Sequence, residues 1–279
     1  MTYRAAVCVK PVPDPNCYGK VGIDPVKKTI TRAGIPNIFN PPDKNALEAA
    51  LCLRTGAAYV AGAAYVAAIS MSPPEGAEIL REALAMGADE AYLLCDRAFA
   101  GADTLATSYS LYHGLRKIES EKGAPFDLIF CGAESADGAT AQVSSQLGEW
   151  FGYPHLWNVF HLEESGGIFK LRTKLENGYM EWEAEPPMVL GVARELNKPR
   201  FISAMGVVKS RKKPLVTWGR TDLPGADDKY LGLAGSPTQA GDIFTPNIRR
   251  EGRQISGSPD EITAGILSAI RASGAVAGM

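Results

Sequence analysis

Several signals that mark common functional classes are missing from this 279-residue sequence. Its 29 lysines and arginines nearly balance 31 acidic residues, for a net charge of −2. This balance gives no electrostatic reason to expect binding to nucleic acid or to an anionic membrane. None of the five cysteines is spaced as CxxC, so the sequence does not favour a zinc site and indicates reduced, buried thiols.

Targeting and catalytic motifs are missing as well. The first residues, MTYRAAVCVKPVPD, lack the pattern of a signal peptide, and the longest apolar run, residues 57–69, is too short for a membrane span. We therefore expect a cytoplasmic protein that is not integral to a membrane. The chain has no GxGxxG motif after its first apolar run, no GxxxxGK[ST] and no GxSxG. Its three histidines have no spacing that suggests a metal site or a catalytic triad.

What the sequence does contain is an alternation of short apolar runs with amphipathic segments. The apolar runs are residues 4–9, 65–70, 91–95, 126–131 and 187–192. Runs that are apolar on both faces are typical of a parallel sheet covered by helices on both sides.

The segments between the runs have helical patterns, at residues 40–54, 73–88 and 101–120. Asn40 and Asp103 stand where they could cap the first and third helices, and Gly87 can end the second. Residues 158–164, 168–175 and 178–184, joined by SGG and NG, are predicted as antiparallel strands at an edge of the sheet.

From about residue 214 the sequence becomes rich in glycine, proline and charge. We expect a nucleotide-binding α/β domain over residues 1–213 and a C-terminal arm with a final helix over residues 214–279. Apolar islands at Tyr230, Leu231, Ile243 and Phe244 favour an arm that wraps a partner over one that is disordered. The final helix, residues 259–271, has one apolar face that needs a packing surface.

Ligands of open parallel sheets bind where the strands end and loops enter helices. Two such loops, residues 96–108 and 131–143, are rich in Gly, Ala, Thr and Ser. Small residues allow close approach of the backbone, and helix N-termini favour phosphate. Turn chemistry alone also places small polar residues at such junctions.

These loops and several other stretches of the sequence resemble the β subunits of electron transfer flavoproteins. The resemblance covers nearly the whole chain. The matching stretches are VCVKPVPDP, NPPDKNALEAAL, LREALAMGADEAYLL, CGAESADGATAQVSSQL, LNKPRF and KSRKKP. The resemblance implies a three-layer α/β/α fold with a mainly parallel sheet, similar to the adenine nucleotide alpha hydrolases, with antiparallel edge strands and an extended C-terminal arm.

The resemblance also implies an adenine nucleotide in this chain. In plain electron carriers of the family the nucleotide is AMP, with a structural role, and in the electron-bifurcating branch it is a second FAD that NADH reduces. The stretches DGATAQV, DRAFAGADTLATS and GSPTQAGDIFTP are similar to the bifurcating branch and favour FAD.

Transferred position by position, the resemblance implies three groups of cofactor-binding residues and no catalytic side chain. Cys8, Asn40 and Met71 are expected near the adenine and ribose. Ala136, Asp137, Gly138, Ala139, Thr140, Ala141, Gln142 and Val143 are expected around the phosphates, with side-chain bonds from Thr140 and Gln142. Asp103, Thr104 and Thr107 are expected at the ribityl chain or flavin ring.

The partners implied are an α subunit that completes a heterodimer, ferredoxin or flavodoxin, and a dehydrogenase or quinone-linked enzyme. The chain departs from the family at two places. Ala139 replaces a second acid, and Ala204 and Met205 replace a leucine-proline loop that docks acyl-CoA dehydrogenases. The second departure weakens the expectation of an acyl-CoA dehydrogenase as the partner.

Overall fold

The computed structural model describes residues 2–20, 22–24, 29–31, 34–55, 62–239, 241 and 252–274. Contacts divide the chain into one compact unit up to Gly241 and a second from Asp242 onwards. The expected boundary at 213/214, between a nucleotide-binding domain and a C-terminal arm, stays a prediction. The role of the C-terminal segment in wrapping a partner stays a prediction, and Ile243 and Phe244 lie outside the described residues.

The first unit is built on a nine-stranded sheet in the order β11-β10-β9-β12-β8-β1-β6-β7-β13. Its strands are β1 (Thr2–Cys8), β6 (Gly62–Met71), β7 (Glu90–Leu94), β8 (Leu128–Gly132), β9 (His155–Ser165), β10 (Ile168–Leu175), β11 (Gly178–Ala184), β12 (Met188–Val192) and β13 (Leu215–Trp218). All neighbouring strands in the part of the sheet ordered β9-β12-β8-β1-β6-β7-β13 run parallel. Strand β10 pairs antiparallel with both β9 and β11. The predicted mainly parallel sheet with antiparallel edge strands is confirmed.

Two small ladders join segments outside this sheet. Strands β2 (Pro11–Pro13) and β5 (Asn37–Phe39) pair antiparallel, as do β3 (Gly22–Asp24) and β4 (Thr29–Thr31).

Helices cover both faces of the sheet because the strand residues alternate between two cores. Ala5 and Val7 of β1 face the core of α1 (Pro41–Thr55) and α2 (Gly76–Met86), whereas Ala6 and Cys8 face that of α3 (Thr104–Lys122) and α4 (Val143–Phe151). A short helix, α5 (Ala204–Ser210), packs beside α2. The three-layer α/β/α prediction is confirmed.

Local signals set the helix ends much as the sequence predicts. The Asp103 carboxylate accepts hydrogen bonds from the backbone N–H of Leu105 and Ala106 at the start of α3. Gly87, with φ of +145°, follows the end of α2.

The second unit contains helix α6 (Pro259–Ala272), which begins with a capping box formed by Ser258 and Glu261. Ile266, Leu267 and Ile270 are each more than a third exposed on this helix. Among the described residues, no helix combines the length and the apolar character that crossing a bilayer requires.

Candidate functional site

A cavity of about 1000 Å³ lies over the carboxyl ends of four neighbouring strands, β8, β1, β6 and β7. Neighbouring strands are ~4.8 Å apart, so four strand ends span roughly 14 Å. This edge is where open parallel sheets bind ligands. The starts of α3 and α4 both border the cavity, through Thr104 and Val143.

The structure brings most of the predicted site residues together around this cavity. Those that line it are Cys8, Asn40, Met71, Asp103, Thr104, Thr107, Asp137, Gly138, Thr140, Ala141, Gln142 and Val143. Ala136 and Ala139 are in the same loop but are not among the lining residues. The expected contacts of all these residues with a nucleotide stay predictions.

Asn40 fastens the loop after β8 to the start of α1. Its Nδ2 donates to the carbonyl oxygen of Glu134 at 2.9 Å and to Oδ1 of Asp43 at 2.8 Å, and its Oδ1 accepts from the N–H of Ala136 at 3.1 Å. The side chain is 1% exposed. These bonds hold the backbone of the loop, a role that the sequence reading of Asn40 as a helix cap did not include.

The backbone of this loop is strained, and the helix that follows it has no side-chain cap. Ala139 and Ala141 have φ of +47° and +56°, a region that residues with a Cβ adopt rarely and at a cost. At the start of α4, Gln142 makes no side-chain capping bond. The first N–H groups of a helix have no acceptor within the helix. An anion such as a phosphate fits this need.

Side chains connect the starts of the two helices. Oγ1 of Thr104 donates to Oε1 of Gln142 at 2.9 Å and accepts from Nε2 of Gln146 at 3.2 Å. Thr104 and Gln142 therefore fix α3 and α4 relative to each other, in addition to any bond that they make to a ligand.

Lys10 is a residue of the site that the sequence analysis missed. Its Nζ lies 2.7 Å from Oδ1 of Asp137 and 3.3 Å from Oγ of Ser135. The Asp137 side chain is 8% exposed and that of Lys10 46%. The ion pair joins the segment after β1 to the loop after β8. The position of Lys10 directly after the first apolar run is the signal that could have identified it.

Asp43 is a second missed residue, buried beneath the cavity. It accepts from the backbone N–H of Lys10 at 2.8 Å and of Gly132 at 3.1 Å, besides the bond from Asn40. Burial raises the pKa of this carboxyl to about 7, although these hydrogen bonds act in the opposite direction. Asp43 joins the ends of β1 and β8 to α1, and so fixes the floor of the site.

The floor also contains two thiols on neighbouring strands. Cys8 ends β1 and Cys131 lies in β8, and both are buried at the cavity. Contact with Cys8, together with burial, raises the pKa of the Cys131 thiol. The two side chains therefore form a weakly polar part of the floor.

A nucleotide-sized cavity at the carboxyl edge of a parallel sheet, bordered by two helix N-termini, defines a nucleotide-binding α/β protein. The model of the electron transfer flavoprotein domain family matches residues 27–223 of the chain. Three similar proteins agree with this match. The chain is 42% identical over 247 residues to the electron transfer flavoprotein subunit beta of Megasphaera elsdenii, covering 88% of each chain.

Two further relatives match over greater lengths. The subunit beta of Clostridium acetobutylicum is 41% identical over 265 residues, which cover 95% of this chain and 96% of that one. The caffeyl-CoA reductase-Etf complex subunit CarD of Acetobacterium woodii is 39% identical over 264 residues, with the same two coverages. The chain belongs to the electron transfer flavoprotein family, as a β subunit.

Proposed function

We propose that this β subunit binds FAD in the cavity and passes electrons within a heterodimer with an α subunit. The observation that carries the proposal is the size of the cavity. It continues from Cys8 and Asn40 along four strand ends to Asp103 and Thr107, which leaves more room than a mononucleotide fills. Its volume is at the upper end of the ~300–1,000 Å³ range of small-molecule sites.

The lining residues fit the parts of such a dinucleotide. Cys8, Asn40 and Met71 would surround the adenine and ribose, and the loop 136–143 with the start of α4 would hold the phosphates. Asp103, Thr104 and Thr107 would lie near the ribityl chain or the flavin ring. The flavin, when bound, supplies reversible one- and two-electron redox chemistry.

The chain itself would orient the group and keep water from it. The buried side chains of Cys8 and Cys131 and the apolar side chains of the floor would provide a dry surface, while Lys10 would add a positive charge near the phosphates. We assign no acid or base catalysis to any side chain of this chain.

The electron donor in this proposal is NADH, and the acceptors are ferredoxin or flavodoxin and a dehydrogenase or quinone-linked enzyme, by flavin-based electron bifurcation. The loop sequences that resemble the bifurcating branch support this proposal. The name of the Acetobacterium woodii relative places it in a complex with a caffeyl-CoA reductase, which supports a CoA-ester reductase as one class of partner.

An exposed apolar surface on and before α5 would suit such a partner. Phe201 is 91% exposed, Met205 61% and Val208 55%. Three large apolar side chains exposed together are typical of protein contact sites. Phe201 ends the stretch LNKPRF, and Met205 and Val208 follow it. Many dehydrogenase-docking members of the family have their recognition loop directly after this stretch.

The alternative function is a structural subunit of a plain electron carrier that holds AMP. The residues around Asn40 and Asp137 would serve either nucleotide, so the distinction depends on what occupies the end near Asp103 and Thr107.

The test uses the α/β complex with two substitutions in the loop, Asp137→Ala and Gln142→Ala. The first removes the ion pair that joins the loops after β1 and β8, and the second removes the link to Thr104. With the walls of the site no longer held together, we expect loss of FAD from this subunit and loss of NADH oxidation. Glu149→Ala, an exposed position further along α4, is the matched control and should retain both. If the double variant retains its FAD and its NADH oxidation, the site is wrong.

A further inference from the structure

Asp103 makes hydrogen bonds in two directions, and only one of them serves its own helix. Its Oδ1 accepts from the N–H of Leu105 and Ala106, which caps α3. Its Oδ2 accepts from the N–H of Thr238 at 3.0 Å, 135 residues further along the chain. The backbone N–H of Asp103 in turn donates to Oγ of Ser236 at 2.8 Å. One residue therefore connects the start of α3 to the C-terminal part of the first unit.

We call residues 230–238 the strap. Its first half is fixed by close packing: Leu231 is 3% exposed in the core of α3 and α4, and the N–H of Leu233 donates to the carbonyl oxygen of Ala100. Gly232 has φ of +51°, and a Cβ there would lie 2.3 Å from the carbonyl oxygen of Ala98. The strap thus lies directly against the loop that leads into α3.

The second half of the strap depends on polar bonds. Ser236 is 4% exposed, and its Oγ donates to the carbonyl oxygen of Gly232 while accepting from Asp103. Thr238, in contrast, is exposed and lines the cavity. Its bond to Asp103 fixes the part of the strap that forms the cavity wall.

That wall lies at one end of the cavity. Thr238 is tied to Asp103, next to Thr104, whereas Cys8 and Asn40 line the part over β1 and the start of α1. A ligand that fills only the part near Cys8 and Asn40 would not reach the strap, and one that extends to Thr104 and Thr107 would.

We propose that the strap determines selectivity for a dinucleotide over a mononucleotide, and that Asp103 is the positioning residue that fixes it. This inference rests on the proposed function, because it takes the adenine end of the ligand to lie near Asn40. In this account Asp103 acts through Thr238 and the start of α3, and does not need to touch the ligand.

The first test is Asp103→Asn in the α/β complex, after removal of bound nucleotide. Asparagine is as good a helix cap as aspartate, so Oδ1 continues to accept from α3. The amide then presents a donor to the N–H of Thr238 in place of an acceptor. We expect the affinity for FAD to fall about tenfold, since the lost bond involves a charged acceptor, while the affinity for AMP changes less than about twofold.

The second test approaches the same bond from the strap. Thr238→Pro removes the N–H donor, and Thr238→Ala retains it while removing the same side chain, so the two variants are a matched pair. The loss of FAD affinity in the proline variant relative to the alanine variant should equal that of Asp103→Asn. When Asp103→Asn and Thr238→Pro are combined, the losses of affinity should not add, because both changes remove the same hydrogen bond.

The readout that separates selectivity from general damage is the ratio of the FAD and AMP affinities, with the melting temperature recorded for each variant. A fall in both affinities together, or FAD binding equal to that of the unaltered complex, would overturn the inference and leave the proposed function standing. An unaltered complex that binds AMP but no FAD in this chain would remove the proposed function and this inference together.

Discussion

Replacing Asn40 by alanine should weaken both the fold and nucleotide binding, by amounts that the structure allows to be worked out. The change deletes three hydrogen bonds, to Glu134, Asp43 and Ala136, from a side chain that is 1% exposed. At ~1 kcal/mol for each bond, and more where a buried partner stays unpaired, the free energy of unfolding should fall by about 3 kcal/mol. For a unit of this size that lowers the melting temperature by roughly 6–12 °C.

Nucleotide affinity should fall with it, because the loop backbone at 134–136 loses its anchor. We expect at least a tenfold weaker affinity for FAD, equivalent to ~1.4 kcal/mol, measured by titration of the nucleotide-free α/β complex at a temperature well below the melting point of the variant.

Asn45, in the helix α1 that directly follows Asn40, provides a matched control. It is 4% exposed, and its Nδ2 donates to the carbonyl oxygens of Arg194 and Asn197 and to Oδ1 of Asn197. Asn45→Ala should therefore cost a similar amount of stability and leave the affinity for FAD unchanged. Equal losses of affinity in the two variants would refute the reasoning, because they would show that binding follows overall stability and not the anchoring of the loop.

Three further changes test the surroundings of the site. The pKa of the Asp43 carboxyl is raised to about 7, so between about pH 4 and 7 the folded chain keeps a proton that the unfolded chain releases. The free energy of unfolding should therefore fall as the pH rises through this range. At ~1.36 kcal/mol per pH unit the total loss is on the order of 4 kcal/mol. Urea unfolding over that range should show a flatter pH dependence for Asp43→Asn than for the unaltered chain. The same pH dependence in both would contradict a raised pKa of the Asp43 carboxyl. In Gly132→Ala the new Cβ would lie 2.2 Å from Oδ1 of Asp43 and 2.8 Å from Cβ of Pro42. We expect the free energy of unfolding to fall by about 1–3 kcal/mol and FAD binding to weaken. Denaturation and FAD titration curves equal to those of the unaltered chain would contradict the close packing. Ala141→Gly relieves a positive φ and should raise stability by ~1 kcal/mol in a thermal melt, and a lower melting temperature would show that the strain is not present.

The order of strands and helices could be predicted from the sequence because its signals are local. Apolar runs such as residues 126–131 differ visibly from the amphipathic segments around them, and Asp103 stands directly before its helix. The loop 136–143 could be predicted as part of the site for the same reason, because its small residues follow a buried strand.

The parts that could not be predicted depend on contacts between distant segments. Strand β13 is only four residues long, and it becomes a strand by pairing with β7 at the edge of the sheet. The bond between Asp103 and Thr238 joins residues that no periodicity relates. Lys10 and Asp137 lie in different loops, and only the parallel pairing of β1 with β8 brings those loops to the same edge.

The central claim, that this subunit holds a flavin, is tested most directly by counting cofactors. The α/β complex is purified and denatured, and the FAD and AMP released are separated by chromatography and quantified per heterodimer. The account predicts two FAD and no AMP. One FAD with one AMP would contradict it, and would make this chain the structural half of a plain electron carrier.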